Sequence, residues 1–346
     1  MCGGMCADDS VLELFEKQNP GRIWKTGNNG CFVEFDGTRT LVSILHQTNK
    51  TSPYRYAADS GRILKDGQTV RENVTAKIYP DWYNVKLSTG RAFSDVFVLE
   101  GESFFHLAYK GCDYMSKGVG CKFCATGRRN ARESKPSEIG EAAGIIKNHI
   151  RNAQICLGGG TYLPIGDNVS FFIDCVKEIR KRDRDIPIWI EMVPPEKDDV
   201  LRLIDAGATA FGFNIEVWDD DARKEICPGK SEISKKHYLD MLSFTARMLP
   251  DKVGSVLIAG LDKPESVAAG IDALADIGVH PCILSFKRWD GAKLEKRGPA
   301  AAHEFIELSN RAVGQMRKAG LNLLKNQGCL LCECCTVMHD LWRKTL

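Results

Sequence analysis

Three cysteines stand close together in the run YKGCDYMSKGVGCKFCATG, at residues 109–127. They follow the spacing C-x8-C-x2-C: Cys112, Cys121 and Cys124. Thiolates are the ligands of zinc and of iron–sulfur clusters, and a structural zinc site is closed by four ligands. Three thiolates leave one position open, as in a metal centre that does chemistry. The alternative is a structural zinc site that His106 or Asp113 completes.

A second group of four cysteines lies in the run NQGCLLCECCTVMHDLW: Cys329, Cys332, Cys334 and Cys335. Four thiolates this close in sequence suit a soft metal or an iron–sulfur cluster, so the group predicts a second metal site. A structural zinc clasp, built from three of these cysteines with His339, is the alternative.

The chain has 14 cysteines among 346 residues. In a reducing compartment, clustered cysteines bind metal more often than they form disulfides. Cys2 and Cys6 form a looser pair, which we expect to belong to a frayed end. The remaining five stand singly among apolar residues and are expected to be small core side chains: Cys31, Cys156, Cys175, Cys227 and Cys282.

The charge balance and the first residues restrict the class of protein. Lys+Arg 47 against Asp+Glu 45 gives a net charge of +2, so a nucleic-acid partner is not expected. Apolar runs stay shorter than the roughly 18 residues of a membrane span. Asp8, Asp9 and Glu13 interrupt the region where a secretory signal would be apolar, so we expect a cytoplasmic protein.

The texture of the sequence changes near residue 103. Residues 1–102 carry short β-rich runs separated by Gly, Asn and Asp turns, which predict a small β-rich accessory module. Residues 103–320 alternate apolar strands with amphipathic helices in six β/α units, which predict an α/β fold, an open (β/α)6 partial barrel. The site should lie at the carboxyl ends of the strands, where the cysteine loop follows the first strand. Residues 321–346 form a cysteine-rich segment, expected to fold back over the mouth of the barrel.

The cysteine loop in this position resembles the radical S-adenosylmethionine superfamily. The resemblance implies a [4Fe–4S] cluster on the three loop cysteines, with the amino and carboxylate groups of S-adenosylmethionine filling the open position. Electron transfer would cleave the sulfonium and yield a 5′-deoxyadenosyl radical that abstracts hydrogen from substrate. The family's commonest spacing is C-x3-C-x2-C, and this chain has five more residues in the first gap.

The resemblance also implies cofactor-binding residues. Phe123 would pack near the adenine, the glycines of LGGG would bind the methionine amino group, and the polar residues of NIEVWD would face the ribose and methionine ends. The residues concerned are Phe123, Gly158, Gly159, Gly160, Asn214 and Glu216. The alternative for Asn214 and Glu216 is that they only satisfy buried backbone groups.

The run NIEVWDDDARKEICPGKS, followed by Tyr238, resembles the biotin synthase-like branch. With the terminal cysteines as a second iron–sulfur cluster, this implies sulfur insertion at an unactivated carbon. If that cluster stays intact, rearrangement, methylation or oxidation is implied instead. An electron donor such as flavodoxin or ferredoxin would be the partner, and the sequence does not identify the substrate. A zinc-binding interaction protein is the alternative of another class.

Overall fold

The computed structural model describes residues 5–7, 13, 30–36, 38–43, 52–77, 79–100, 103–108, 111–124, 133–289, 291–332 and 335–344. Cys2 and Cys334 lie outside these residues. Cys6 lies in a strand that pairs with a second strand at Arg55, so the expectation of a frayed end is wrong for this residue.

Seven short strands form two small sheets in the N-terminal region. Their bounds are β1 Cys6–Ala7, β2 Gly30–Phe35, β3 Thr38–Ser43, β4 Tyr54–Ala57, β5 Arg62–Lys65, β6 Gln68–Arg71 and β7 Thr75–Lys77. One sheet has the order β1-β4-β5-β6 and the other the order β3-β2-β7. A small core of its own holds Met5, Val33, Tyr56, Ile63 and Val74. The predicted β-rich module is therefore confirmed.

A seven-stranded sheet forms the centre of the molecule. Its strands are β8 Phe97–Glu100, β9 Ser103–Ala108, β10 Gln154–Gly159, β11 Ile188–Glu191, β12 Ala210–Gly212, β13 Val253–Ala259 and β14 His280–Ser285. The strands from β9 to β14 are parallel and adjacent in chain order, and β8 pairs antiparallel with β9 at one edge. This confirms the predicted six-strand partial barrel.

Helices connect and cover these strands. Their bounds are α1 Asp113–Ser116, α2 Pro136–His149, α3 Ile165–Arg182, α4 Lys197–Ala206, α5 Asp220–Ile226, α6 Pro228–Ser231, α7 Lys235–Met248, α8 Pro264–Asp276, α9 Ala302–Lys318 and α10 Met338–Lys344. Their apolar faces pack on the sheet in one continuous core, as the helical spacing of apolar residues predicts. None of the helices described here is long and apolar enough to cross a membrane.

The fourth parallel strand is shorter than the sequence predicts. The apolar run suggests a strand to residue 219, but β12 ends at Gly212. Glu216 has a φ of 69°, in the left-handed region, which interrupts the extended backbone. Beyond that break only an isolated bridge joins Glu216 to Leu257 of β13. The side chains after β12 therefore project from an irregular segment.

The lumen of the partial barrel is filled at the amino ends of its strands. The ring of Trp189 occupies space that three glycines leave open. A Cβ atom on Gly212, Gly254 or Gly328 would come within 2.4, 3.2 or 2.2 Å of this ring. Since Gly328 belongs to the cysteine-rich segment, this segment packs inside the barrel.

Two hydrogen bonds hold the segment there. The amide nitrogen of Gln154 donates to the carbonyl oxygen of Gly328 at 2.9 Å, and the N–H of Gly328 donates to the amide oxygen of Gln154 at 2.8 Å. Thr209 donates to the side chain of Gln327 at 2.7 Å. Gln154 begins β10 and Thr209 precedes β12, so the segment enters from the amino ends of the strands. The expectation that it covers the mouth is wrong, because these buried polar partners lie at the opposite end.

Candidate functional site

The cysteine loop follows β9 and is tied to the turn after β10. The N–H of Asp113 donates to the carbonyl oxygen of Thr161 at 2.9 Å, and the N–H of Leu163 donates to the Asp113 carboxylate at 2.6 Å. The sulfur of Cys112 accepts a hydrogen bond from the N–H of Thr161 at 3.4 Å. The turn of the neighbouring strand therefore positions the first cysteine.

Gly160 allows this close approach. A Cβ atom at position 160 would lie 2.1 Å from the carbonyl oxygen of Gly111 and 2.8 Å from the Cβ atom of Cys112. Real Cβ atoms do not come so near to backbone. A residue with a side chain would push the cysteine loop away from β10.

The second half of the loop is held by the segment between α5 and α6. The N–H of Lys122 donates to the carbonyl oxygen of Ile226 at 2.8 Å. The N–H of Gly229 donates to the carbonyl oxygen of Val119, also at 2.8 Å. These bonds lie on both sides of Cys121 in the sequence, so the two chain segments are fixed against each other at this cysteine.

Most of the site residues predicted from the sequence line one cavity of about 310 Å³. These are Cys112, Cys121, Phe123, Cys124, Gly158, Gly159, Gly160 and Glu216. The cavity lies at the carboxyl ends of the strands, where the fold was expected to place its chemistry. It brings the cysteine loop and the glycine turn together across the junction of β9 and β10.

The other predicted residues line or adjoin a second cavity of about 190 Å³. Asn214, Cys329 and Cys335 are in its wall, and it shares Phe123, Glu191 and Glu216 with the first cavity. Cys332 is buried and packs with Phe105 and Cys335. The terminal cysteines therefore lie next to the loop-cysteine cavity but do not line it.

Lys230 is a site residue that the sequence did not single out. Its ammonium lies 2.8 Å from the Glu216 carboxylate and also lines the first cavity. Burial alone would lower the pKa of Lys230, but Glu216 and the sulfur of Cys121 outweigh burial and hold that pKa well above its ordinary value. The side chain is thus a fixed positive charge beside Cys121. The only sequence signal was its place in the CPGK run after NIEVWD.

Glu191 is a second residue that the sequence did not single out. It ends β11 and lies between the two cavities. One carboxylate oxygen accepts from the amide of Asn214 at 3.0 Å, and the other lies 3.8 Å from the Cys329 sulfur as a hydrogen-bond acceptor. Burial, with the nearby Glu216 carboxylate, raises the pKa of Glu191. A carboxylate that ends an otherwise apolar strand was the available signal.

Asn214 has internal partners on both sides of its amide. Its oxygen accepts from the N–H of Val256 at 3.1 Å, while its nitrogen donates to Glu191. The alternative weighed for this residue, satisfaction of a buried backbone group, therefore describes part of what Asn214 does. Glu216 differs, because its carboxylate pairs with a side chain inside the cavity.

Cys227, expected to be a core side chain, is buried as predicted but also contacts the cysteine loop. Its thiol is hydrogen-bonded to Cys121. This bond lowers the pKa of Cys121, burial opposes the change, and Lys230 adds to the lowering. The same bond and burial raise the pKa of Cys227. Cys121 is therefore the thiolate of the pair.

The donor set fits an iron–sulfur cluster. Within the described part of the chain, no three Cys, His, Asp or Glu side chains are gathered closely enough to bind a single metal ion. In a cluster each thiolate binds a different iron, so ligand sulfurs distributed around a cavity are what it requires. Asp113 is engaged by the N–H of Leu163, and burial with nearby Arg91 lowers the pKa of His106 to about 3.

Comparison with known proteins bears on the same region. A sequence profile of the Radical SAM superfamily matches residues 108–285, just over half of the chain. Bacteriochlorophyllide c C-7(1)-hydroxylase of Chlorobaculum limnaeum is 23% identical over 256 residues, which cover 66% of this chain and 64% of the hydroxylase. The solved structure of methylornithine synthase matches with a TM-score of 0.52 and 16% identity, over 66% of this chain and 64% of that one. The chain therefore spans less than two thirds of either relative, and the structural likeness concerns the fold alone.

Proposed function

Because this chain belongs to the radical SAM superfamily, we propose that Cys112, Cys121 and Cys124 hold a [4Fe–4S] cluster with one iron open to S-adenosylmethionine. Such a cluster, when bound, supplies the electron that cleaves the cofactor to a 5′-deoxyadenosyl radical, which abstracts hydrogen from a substrate. The observation that carries the proposal is that the three cysteines and the glycine turn line one cavity.

The chain's own residues would bind the two ends of the cofactor. The turn Gly158–Gly160 exposes backbone groups to the cavity, where a charged amino acid end can approach them. Lys230 and Glu216 offer an ammonium and a carboxylate to the same end. Phe123 lies in the wall that both cavities share, which suits a stacked adenine that reaches from one to the other.

For the reaction itself, we propose sulfur insertion at an unactivated carbon. Cys329 and Cys335 line the cavity that adjoins the loop cysteines, and Cys332 packs beside them. A second cluster on this segment would be a source of sulfur beside the substrate. Cys334, a fourth candidate ligand, lies outside the described residues.

Oxidation with an intact second cluster is the other candidate. The likeness to a hydroxylase favours it, although identity is only 23%. Both candidates begin with hydrogen abstraction from carbon, and they differ in the atom that the product gains. In either case a protein that delivers single electrons at low potential, flavodoxin or ferredoxin, would be the reductant.

Anaerobic purification tests the cluster. We expect brown protein with about four irons per cluster, and 5′-deoxyadenosine and methionine from S-adenosylmethionine and dithionite. Cys112→Ala, Cys121→Ala and Cys124→Ala should abolish both iron binding at this site and cleavage. Cys175→Ala is the matched control, because Cys175 is buried in α3 outside both cavities. Colourless protein that contains zinc would overturn the proposal.

The reaction is tested with metabolite extracts and the cleavage-competent enzyme. Mass spectrometry should find a product heavier by one sulfur atom, and its sulfur should come from enzyme labelled with heavy sulfide. Cys329→Ala, Cys332→Ala and Cys335→Ala should keep cofactor cleavage and lose that product. A gain of one oxygen atom instead would establish oxidation.

A further inference from the structure

Cys227 lies beside the cysteine loop in a place that the backbone determines. It joins α5 to α6 and is completely buried. The carbonyl oxygen of Ile226 and the N–H of Gly229, one residue before it and two after it, bond to the loop at Lys122 and Val119. These contacts leave the Cys227 side chain little freedom to move away from Cys121.

The direction of the contact between the two sulfurs follows from their roles. A cysteine that binds iron does so as a thiolate and has no proton to donate. Cys227, which is not one of the three loop cysteines, keeps its S–H group. The side-chain hydrogen bond between them therefore runs from the thiol of Cys227 to the sulfur of Cys121.

We propose that Cys227 is a positioning residue that raises the reduction potential of the cluster by donating a hydrogen bond to the Cys121 sulfur. The proposal rests on the proposed function, since it requires a cluster on the loop cysteines. Hydrogen bonds to ligand sulfurs stabilise the more negative, reduced cluster and so raise its potential.

The two neighbouring ligands differ in how their donors can be removed. Cys112 receives its hydrogen bond from a backbone N–H, that of Thr161, which side-chain substitution leaves in place. Cys121 receives its bond from a side chain. The nearby ammonium of Lys230 acts on the same sulfur and stays constant when Cys227 is replaced.

The test compares Cys227→Ala and Cys227→Ser with the wild-type protein and with Cys175→Ala. Each protein is purified anaerobically, its iron is counted, and the cluster midpoint potential is measured by redox titration followed by electron paramagnetic resonance. At the wild-type midpoint, Cys227→Ala should show a ratio of reduced to oxidised cluster up to about tenfold lower, which corresponds to 59 mV for one electron. Cys227→Ser keeps a donor and should stay closer to wild type, and Cys175→Ala should not change.

Three results would overturn this proposal. Cys227→Ala may bind wild-type iron with an unchanged midpoint. Cys227→Ser may fall as far as Cys227→Ala, in which case packing and not hydrogen bonding sets the value. Both variants may fail to assemble the cluster while Cys175→Ala succeeds, which would make Cys227 an assembly residue. A wild-type protein without an iron–sulfur cluster would instead refute the proposed function.

Discussion

The ammonium nitrogen of Lys230 lies 2.8 Å from a carboxylate oxygen of Glu216 inside the cavity of the three loop cysteines. The two side chains are only 18% and 11% exposed, so solvent screens the pair little. Lys230 begins a short distance after Cys227, and Glu216 follows the break after β12. The pair therefore joins the segment that holds the cysteine loop to the edge of the sheet.

Lys230→Met should destabilise the protein through Glu216. The substitution leaves a buried carboxylate without its partner, which costs about 3 kcal/mol of unfolding free energy. Denaturant unfolding of the apoprotein measures this cost. The double variant Lys230→Met/Glu216→Gln should recover most of it, because no buried charge then remains.

A surface ion pair provides the matched control. Lys236 bonds to Asp240, and their side chains are 83% and 53% exposed. Lys236→Met should change the unfolding free energy by less than about 0.5 kcal/mol. Equal losses for the two lysine variants would show that the Lys230 pair has no special burial cost.

Gly160→Ala should weaken iron binding at the loop cysteines. The added methyl group would overlap the carbonyl oxygen of Gly111 and the Cβ atom of Cys112, and relieving such overlap costs about 1–3 kcal/mol. We expect a lower iron content after anaerobic reconstitution. Gly166→Ala is the control, because nothing lies within 4 Å of its added methyl group. Wild-type iron content in Gly160→Ala would contradict the close packing described here.

Glu191→Gln should become more stable relative to wild type as the pH rises. Burial raises the pKa of Glu191, so its proton is held more tightly in the folded than in the unfolded chain. The carboxyl group therefore stabilises the fold at low pH, and this contribution is lost from about pH 4.5 upward, through the raised pKa. Unfolding free energies of both proteins across this range measure the difference.

Asp272→Asn should show the opposite dependence. Its hydrogen bond with Arg311 lowers the pKa of Asp272, so the stability that it contributes is present above about pH 3.8 and is lost as the pH falls. This variant should be less stable than wild type at neutral pH and approach it in acid. Parallel pH curves for the two variants would contradict both assignments.

Gln154→Ala should release the cysteine-rich segment from the lumen. It removes both hydrogen bonds to Gly328 and leaves buried backbone groups unpaired, at a cost of about 3 kcal/mol. Alkylation of Cys329, Cys332 and Cys335, followed by mass spectrometry, should then be faster than in wild type. Gln68→Ala, on an exposed position of β6, should leave the alkylation rates unchanged.

Local patterns were sufficient for part of this site. The spacing of Cys112, Cys121 and Cys124 and the alternation of strands and helices depend on neighbouring residues, and both led to the family and the six parallel strands. The glycine turn was found for the same reason. These features need no knowledge of which distant residues meet.

Other parts depend on contacts between distant segments. Cys227 is one of several isolated cysteines in the sequence, and only the bonds from α5 and α6 to the loop place it beside Cys121. Lys230 and Glu191 gain their importance from the same tertiary contacts. The path of the terminal segment was mispredicted because it depends on Gln154, whose partner could not be read from spacing.

The bonds between Gln154 and Gly328 join positions 174 residues apart. Closing so long a loop costs chain entropy before any contact is gained, so the interior of the barrel is expected to order late in folding. Until that step, Trp189 has no plug above it and the thiols of the terminal segment face water. Oxidants or cluster-assembly factors would have access to these thiols only in that interval, which sets a kinetic window for maturation.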